Sequence, residues 1–355
     1  MKAVGRVSVK GSRSKGRSWT RWIGISAILL IVTIFLVQSL ARLSFAVWFG
    51  AVATGISFSF VAIGVYISFR ILDYPDLTID GSFPLGASIS ASLIVAGVGS
   101  YLTLPVAVLC GALAGVVTGL IATRLKINSL LASILTATAM ISINLRIMGR
   151  SNIPLMDRDT IFTPFAAPFR SLMFWIGGEP LARLSKNLLI ILMIGGLLLV
   201  VKLFFDWYMH SEVGLAMRAT GDNPQMIRSL GTNTDSMYIL GLAISNGLVA
   251  LSGAVFAQYQ GFADVNMGIG LIIAGLAAVI LGETIFRPKS IARATTAVIV
   301  GMIVYRIAIA AALSVAIPLP DGGAFRIDPQ DVKLATALLV LFALWFTRSR
   351  DGKRR

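Results

Sequence analysis

The sequence predicts an all-α, polytopic membrane protein of about ten transmembrane helices. Three observations carry this. The 355-residue chain is 56% hydrophobic and only 13% charged, with a mean hydropathy of +0.84. Apolar runs of roughly 20 residues, enough to cross a hydrocarbon core, recur along its length. The alternating ten-residue segments of a β-barrel are absent from it.

The runs place spans at roughly 22–41, 46–70, 82–98, 103–123, 128–147, 187–206, 237–257, 265–286, 291–317 and 333–347. The basic N-terminus followed by 22–41 looks at first like a signal peptide. The apolar run is too long and no small-x-small cleavage site follows, so it reads as a retained span. The expected organisation is a basic tail at 1–21, a transmembrane domain at 22–347 and a second basic tail at 348–355.

The net charge of +15 does not point to nucleic acid. The bases cluster in the two tails and in short loops, without interleaved aromatics. With ten spans both termini share a side. If that side is the cytoplasm, the inside loops hold Arg70, Arg124, Lys126, Lys202, Arg218, Arg228, Arg287, Lys289 and Arg293 besides the tails. The outside then holds Arg42, Arg326, Lys333 and the bases of one long loop, roughly half as many. This orients both termini to the cytoplasm of a bacterial inner membrane, with basic segments against anionic lipid.

The extracytoplasmic loop, 148–186, carries Asn152-Ile153-Pro154 and an amphipathic piece from Phe169 to Ile176. The piece suits the membrane surface better than a docking face for an external partner. A weak internal echo links Asp73-Tyr74-Pro75-Asp76-Leu77, after the second span, with Gly261-Phe262-Ala263-Asp264-Val265, after the seventh. Each precedes a short Gly-rich span, and the two lie on opposite sides. That is the sign of an inverted-repeat core.

Chemistry-bearing motifs are scarce. No G-x-x-x-x-G-K-[ST] is present, so any ATP-driven role needs a separate subunit. No His, Cys or carboxylate cluster has metal-ligand spacing. Cys110 sits in an apolar run and reads as packing, and His210 as a surface residue. Asp76 and Asp80 either cap the third span's N-terminus or line a cavity, with Gly81, Pro84 and Gly86 breaking or bending that span. Thr136, Asn144 and Asn246 read first as helix–helix hydrogen-bonding groups and second as path-lining groups. Arg306, inside the ninth span, snorkels, pairs with a carboxylate or contacts solute.

The cytoplasmic loop 207–236 is the most informative stretch. Asn223 suits an N-cap, Pro224 the first helical position and Gly231 the left-handed position past the end. A preceding helix, Glu212 to Thr220, ends at Gly221. A short, rigid, capped helix therefore sits between two spans and can pass rigid-body movement from a soluble partner. Met226, Ile227 and Leu230 would fill the partner's groove, with Arg228 and Asp222 at the rim.

The run Glu212 to Gly231, followed by Tyr238 to Gly253, resembles permease subunits of bacterial ABC importers of the branched-chain amino-acid and ribose type. That family shows G-x-x-x-R-A-x-G-x-N-P, a later Gly, and a span ending in small residues. Gly214, Arg218, Ala219, Gly221, Asn223, Pro224, Gly231 and Gly253 match it. Asp76-Leu77-Thr78-Ile79-Asp80-Gly81-Ser82, Arg124 to Asn128 and Ala277 to Gly282 are similar to further family segments. Glu283 departs from the pattern, where a second Gly is usual, and Arg287 is its expected helical partner.

The resemblance implies a coupling helix seated on a separate ATPase subunit. Its residues would be Arg218, Gly221, Asp222, Asn223, Pro224, Met226, Ile227, Leu230 and Gly231. It implies two permease copies forming the path, an extracytoplasmic solute-binding protein, and ATP and Mg held by the ATPase rather than by this chain. The stretch from Asp73 to Ser88 looks closest to a subgroup linked to tryptophan or tyrosine. The competing readings are a stand-alone ion-coupled transporter, which needs a midplane carboxylate or cation site, and a non-transporting scaffold.

Overall fold

The computed structural model describes residues 45–313 and the backbone of 316–318 and 324–326. The expected spans 22–41 and 333–347, both tails, Arg42 and Lys333 lie outside the described residues. The chain order is α1 (Phe45–Val65, continued by a π-helical turn Tyr66–Ile71), α2 (Ile79–Val95), α3 (Thr103–Arg124), α4 (Ser129–Met148), β1 (Asn152–Pro154) and α5 (Thr163–His210). Then come α6 (Glu212–Asp222), α7 (Pro224–Ser229), α8 (Thr234–Gln260), β2 (Phe262–Asp264), α9 (Leu271–Phe286), α10 (Ile291–Leu313), β3 (Ala316–Pro318) and β4 (Ala324–Arg326).

Among the described residues, six helices are long and apolar enough to cross a membrane: α1 with its π turn, α3, α4, α5, α8 and α10. Helices α2 and α9 are equally apolar but only 17 and 16 residues long. At 1.5 Å per residue each covers roughly 25 Å, less than a hydrocarbon core. All eight coincide with expected spans. Several boundaries move: α2 starts at Ile79 rather than 82, α5 at Thr163 rather than 187, α8 at Thr234 rather than 237 and α9 at Leu271 rather than 265, and α10 ends at Leu313 rather than 317.

Close backbone contact holds the bundle together. Lipid tails are as apolar as Leu, so membrane helices associate by packing and hydrogen bonding rather than by hiding apolar surface. The α8 helix is the centre. Along α3, Gly111 faces Asn246 and Ala250, Gly115 faces Leu242 and Gly119 faces Ile239, an antiparallel match. Along α2 the match is parallel: Ser82 meets Asn246 and Ser90 meets Gln258. Here Gly86 backs onto the Ala250 carbonyl and Gly253 onto the Phe83 carbonyl, so a Cβ at either would overlap backbone.

A matching arrangement stands on the other side. Gly55 of α1 faces Ile303 of α10, Gly275 of α9 faces Val65 of α1, and Gly282 of α9 backs onto Ala297 of α10. In register with Asn246, α2 starts midway along α8, and α9 starts where α1 is past its middle. The first turns of the two short helices meet there.

Two local expectations are corrected. Helix α2 runs through Pro84 without a break. Membrane helices tolerate proline where neighbours enclose the freed carbonyl, and Gly268 backs onto the Asp80 carbonyl. The stretch 163–186 is helix rather than loop: it forms the first part of α5, which bends at Gly177 (φ −144°) and Gly178 (φ 66°). The amphipathic piece lies just before that bend, with Leu172, Phe174, Trp175 and Ile176 exposed. Finally, β1 pairs antiparallel with β2, Ile153 opposite Ala263, tying the loop after α4 to the turn after α8. Cys110 is half-buried in packing, and His210 is exposed, with Nδ1 2.6 Å from the Asp206 carbonyl oxygen.

Candidate functional site

The α6–α7 element is built by local capping. The Ser211 hydroxyl accepts the Gly214 N–H and starts α6. Helix α6 runs to Asp222, slightly beyond the expected end at Gly221. Met217 is fully buried beneath it. Gly221 backs onto the Ile71 carbonyl at the end of the π turn, so no side chain fits there. The Asn223 side chain then accepts the Met226 N–H at 3.0 Å, Pro224 opens α7, and Gly231 takes φ 85°.

The residues expected to face a partner divide into two sets. Met226 is 49% exposed and Leu230 71%, and Asp222 is exposed too. Ile227 is 7% exposed and turns into its own chain, because α7 is too short to present three apolar residues outward and still be anchored. Arg218 is half-buried. Arg228 is not a free rim charge: its Nε donates to Thr234 Oγ1 at 2.6 Å and its Nη2 to Asp235 at 3.0 Å. It braces α7 against the first turn of α8. Val213 and Leu215 of α6 add exposed apolar surface.

The expected Glu283–Arg287 pair is replaced. Glu283 accepts from Arg70 Nε at 2.8 Å, which joins the ends of α1 and α9. Helix α9 stops at Phe286, and Arg287 turns into the left-handed region at φ 43°, off the helix face. Lys202 and Asp206 pair with little exposure, and Thr295 Oγ1 donates to Asp206 Oδ1, linking α5 to α10. Only the four-residue Lys–Asp spacing hinted at this network in the sequence.

The second group of candidates gathers where α2 begins. Asp76, expected at a span end, is fully buried beside the middle of α8. Its Oδ1 accepts the Thr78 N–H at 2.9 Å and its Oδ2 accepts Asn246 Nδ2 at 2.7 Å. Asn246 Oδ1 accepts from Ser82 Oγ at 2.7 Å, and Thr78 shares a hydrogen bond with Thr118. Asp80 caps, but not its own helix: its carboxylate accepts the N–H groups of Gly270 and Ile272 at the start of α9. The expectation that either acid caps α2 is therefore corrected. A local rule weighs only neighbours in sequence, and the orphan donors Asp80 meets belong to another helix.

Gly81 lets α4 approach, its Cα facing Met140, and its carbonyl accepts from Asn144 Nδ2 at 3.2 Å. The Asn144 side-chain oxygen, Oδ1, is buried and has no hydrogen-bond partner among the described residues. Thr136 donates to the Ala132 carbonyl of its own helix. A cavity of about 230 Å³ lies alongside, lined by Asp80, Gly81, Thr138 and Asn266 among others. Arg306 stands apart. Its guanidinium lies 3.6 Å over the Phe58 ring, within a cluster of Phe58, Phe83 and Phe256. Sequence reading missed Thr78, Ser82, Thr118 and Gln258, whose roles depend on partners far away in the chain.

The model of the family "branched-chain amino acid transport system / permease component" matches residues 47–345. The tyrosine transport system permease protein of Clostridioides difficile is 39% identical over 283 residues, covering 80% of this chain and 85% of that protein. The autoinducer 2 import system permease protein of Photorhabdus laumondii is 41% identical over 112 residues, 30% of this chain and 34% of that one. No solved structure matches.

Proposed function

The chain belongs to the family of branched-chain amino acid transport permeases and is a membrane permease subunit of an ABC importer; on that premise we propose that it passes an aromatic amino acid inward. The similarity to the tyrosine transport system permease protein of Clostridioides difficile supports that substrate class. The α7 helix seats on a separate ATPase subunit, which holds the ATP and Mg, while this chain carries no cofactor. A second copy of the chain completes the path, and a solute-binding protein docks at the opposite end.

In this reading the transmembrane domain is 22–347 with ten spans, flanked by cytoplasmic basic tails at 1–21 and 348–355. The segment 148–186 is extracytoplasmic and 207–236 is the cytoplasmic coupling loop. Helices α1–α3 and α8–α10 are the two halves of an inverted repeat. The path passes the meeting point of α2 and α9, by Asp76, Asp80, Gly81, Thr136, Asn144 and Asn246, with Arg306 farther along. ATP binding closes the ATPase pair, α7 moves with it, and the contact of Gly221 with the end of α1 carries that movement into the bundle.

The observation that carries the coupling role is the pair Met226 and Leu230, exposed on a helix that is capped at Asn223 and braced by Arg228. The test is affinity purification from native membranes of wild type and a Met226→Asp/Leu230→Asp variant. A nucleotide-binding ATPase should co-elute with wild type and be lost with the variant, along with uptake. An ATPase-free oligomer that accumulates solute under an ion gradient would sink the proposal.

One observation favours the ion-coupled reading: Asp76 is a carboxylate buried deep in the bundle. Both of its oxygens are taken, by Thr78 and Asn246. That is the geometry of an anchor rather than of an open ion site.

A further inference from the structure

We propose that the end of the bundle opposite α7 carries a binding site for the headgroup of an anionic phospholipid. A cavity of about 410 Å³ opens between the start of α5 and the end of α8. Arg158, Arg170 and Lys186 line it, and no carboxylate among the described residues does. None of the three bases forms an ion pair among the described residues. The neighbouring Asp157 and Asp159 line a separate cavity, into which Arg158 also reaches. Three cations around one concave space raise its potential together, and an anion there interacts with all of them.

Depth selects the source of the anion. The cavity wall includes Gln258 and Tyr259, at the last turn of α8. The part of α5 that starts at the cavity leaves Leu172, Phe174, Trp175 and Ile176 uncovered before the bend, with Trp175 90% exposed. Such a helix is stable with its apolar face in the acyl boundary and its bases at headgroup level, where Trp is also preferred. The remaining wall is mixed: Phe162 and Leu189 are apolar and suit a glycerol or upper acyl segment. A basic, half-apolar cavity at the level of an interfacial helix fits a phosphodiester headgroup better than a free ion in water.

The test uses the full-length protein in nanodiscs of phosphatidylcholine with a minority of phosphatidylglycerol. After delipidation in mild detergent, mass spectrometry reads the ratio of the two lipids retained. Wild type should enrich phosphatidylglycerol, and each neutralised base should cost about fivefold of that enrichment. The R158Q/R170Q/K186Q triple variant should retain the two lipids in their bulk ratio.

Should the triple variant misfold, Lys186→Gln alone should still show the single step. Arg183→Gln should change nothing, because that base pairs with Glu179 and lies outside the cavity. No enrichment in wild type, or equal enrichment in the triple variant, overturns the proposal. Complete displacement of phosphatidylglycerol by millimolar inorganic phosphate also overturns it, by assigning the cavity to small anions. So does loss of binding-protein docking in the triple variant with lipid retention unchanged, which would assign the bases to a protein partner's carboxylates.

Discussion

A single side chain, Asn246, holds the middle of the bundle. It accepts from Ser82 and donates to Asp76 and to the Leu242 carbonyl. Its replacement by Leu removes a donor from a fully buried carboxyl group, a change that costs roughly 1.5–3 kcal/mol for a hydrogen bond to a charged group. The expected result of Asn246→Leu is a clear drop in melting temperature in detergent, whatever happens to transport. An unchanged melting temperature would mean that Asp76 finds other partners.

Asp80 makes a milder case. Asp80→Asn keeps the shape and removes the charge facing the start of α9, so roughly 1 kcal/mol of stability should be lost. The sequence pointed to Asp76, Asp80 and Asn246 as polar groups worth noticing. It did not show whom they meet, because Asn246 is 170 residues from Asp76 and Ile272 is 192 from Asp80. A caps-and-neighbours rule reaches only a few residues.

At the scale of an element, α7 was legible almost completely. Asn223, Pro224 and Gly231 act through hydrogen bonds and backbone angles confined to a few residues, and the structure places each as expected. The direction of Ile227 was not legible, since it depends on where α7 rests on the rest of the chain. The consequence is a sharp contrast between neighbours. Ile227→Asp buries a charge and should destabilise the fold by more than about 2 kcal/mol. Leu230→Asp alters an exposed site and should shift stability by less than about 0.5 kcal/mol, yet weaken ATPase co-elution. Thermal melts read beside co-purification yields separate the two effects. If both substitutions melt alike, Leu230 is not the free face of the helix.

For the whole molecule, hydropathy located the helices well because span length is set by the bilayer. It missed the pairing of β1 with β2 and the meeting of α2 with α9, both products of long-range packing. Which end faces the cytoplasm rests on charge: Arg70, Arg124, Arg218, Arg228 and Arg287 gather at the α7 end. With Lys126, Lys289 and Arg293 they make eight, against six at the far end among the described residues 45–313: Arg146, Arg150, Arg158, Arg170, Arg183 and Lys186. In a Cys110→Ser background, Asp157→Cys and Gln225→Cys each place one exposed thiol at opposite ends of the bundle. A membrane-impermeant maleimide should label the cysteine at 157 in intact cells, and the one at 225 only after the membrane is opened. The reverse pattern would place α7 outside, out of reach of any cytoplasmic ATPase, and the coupling role of α7 would fall with the orientation.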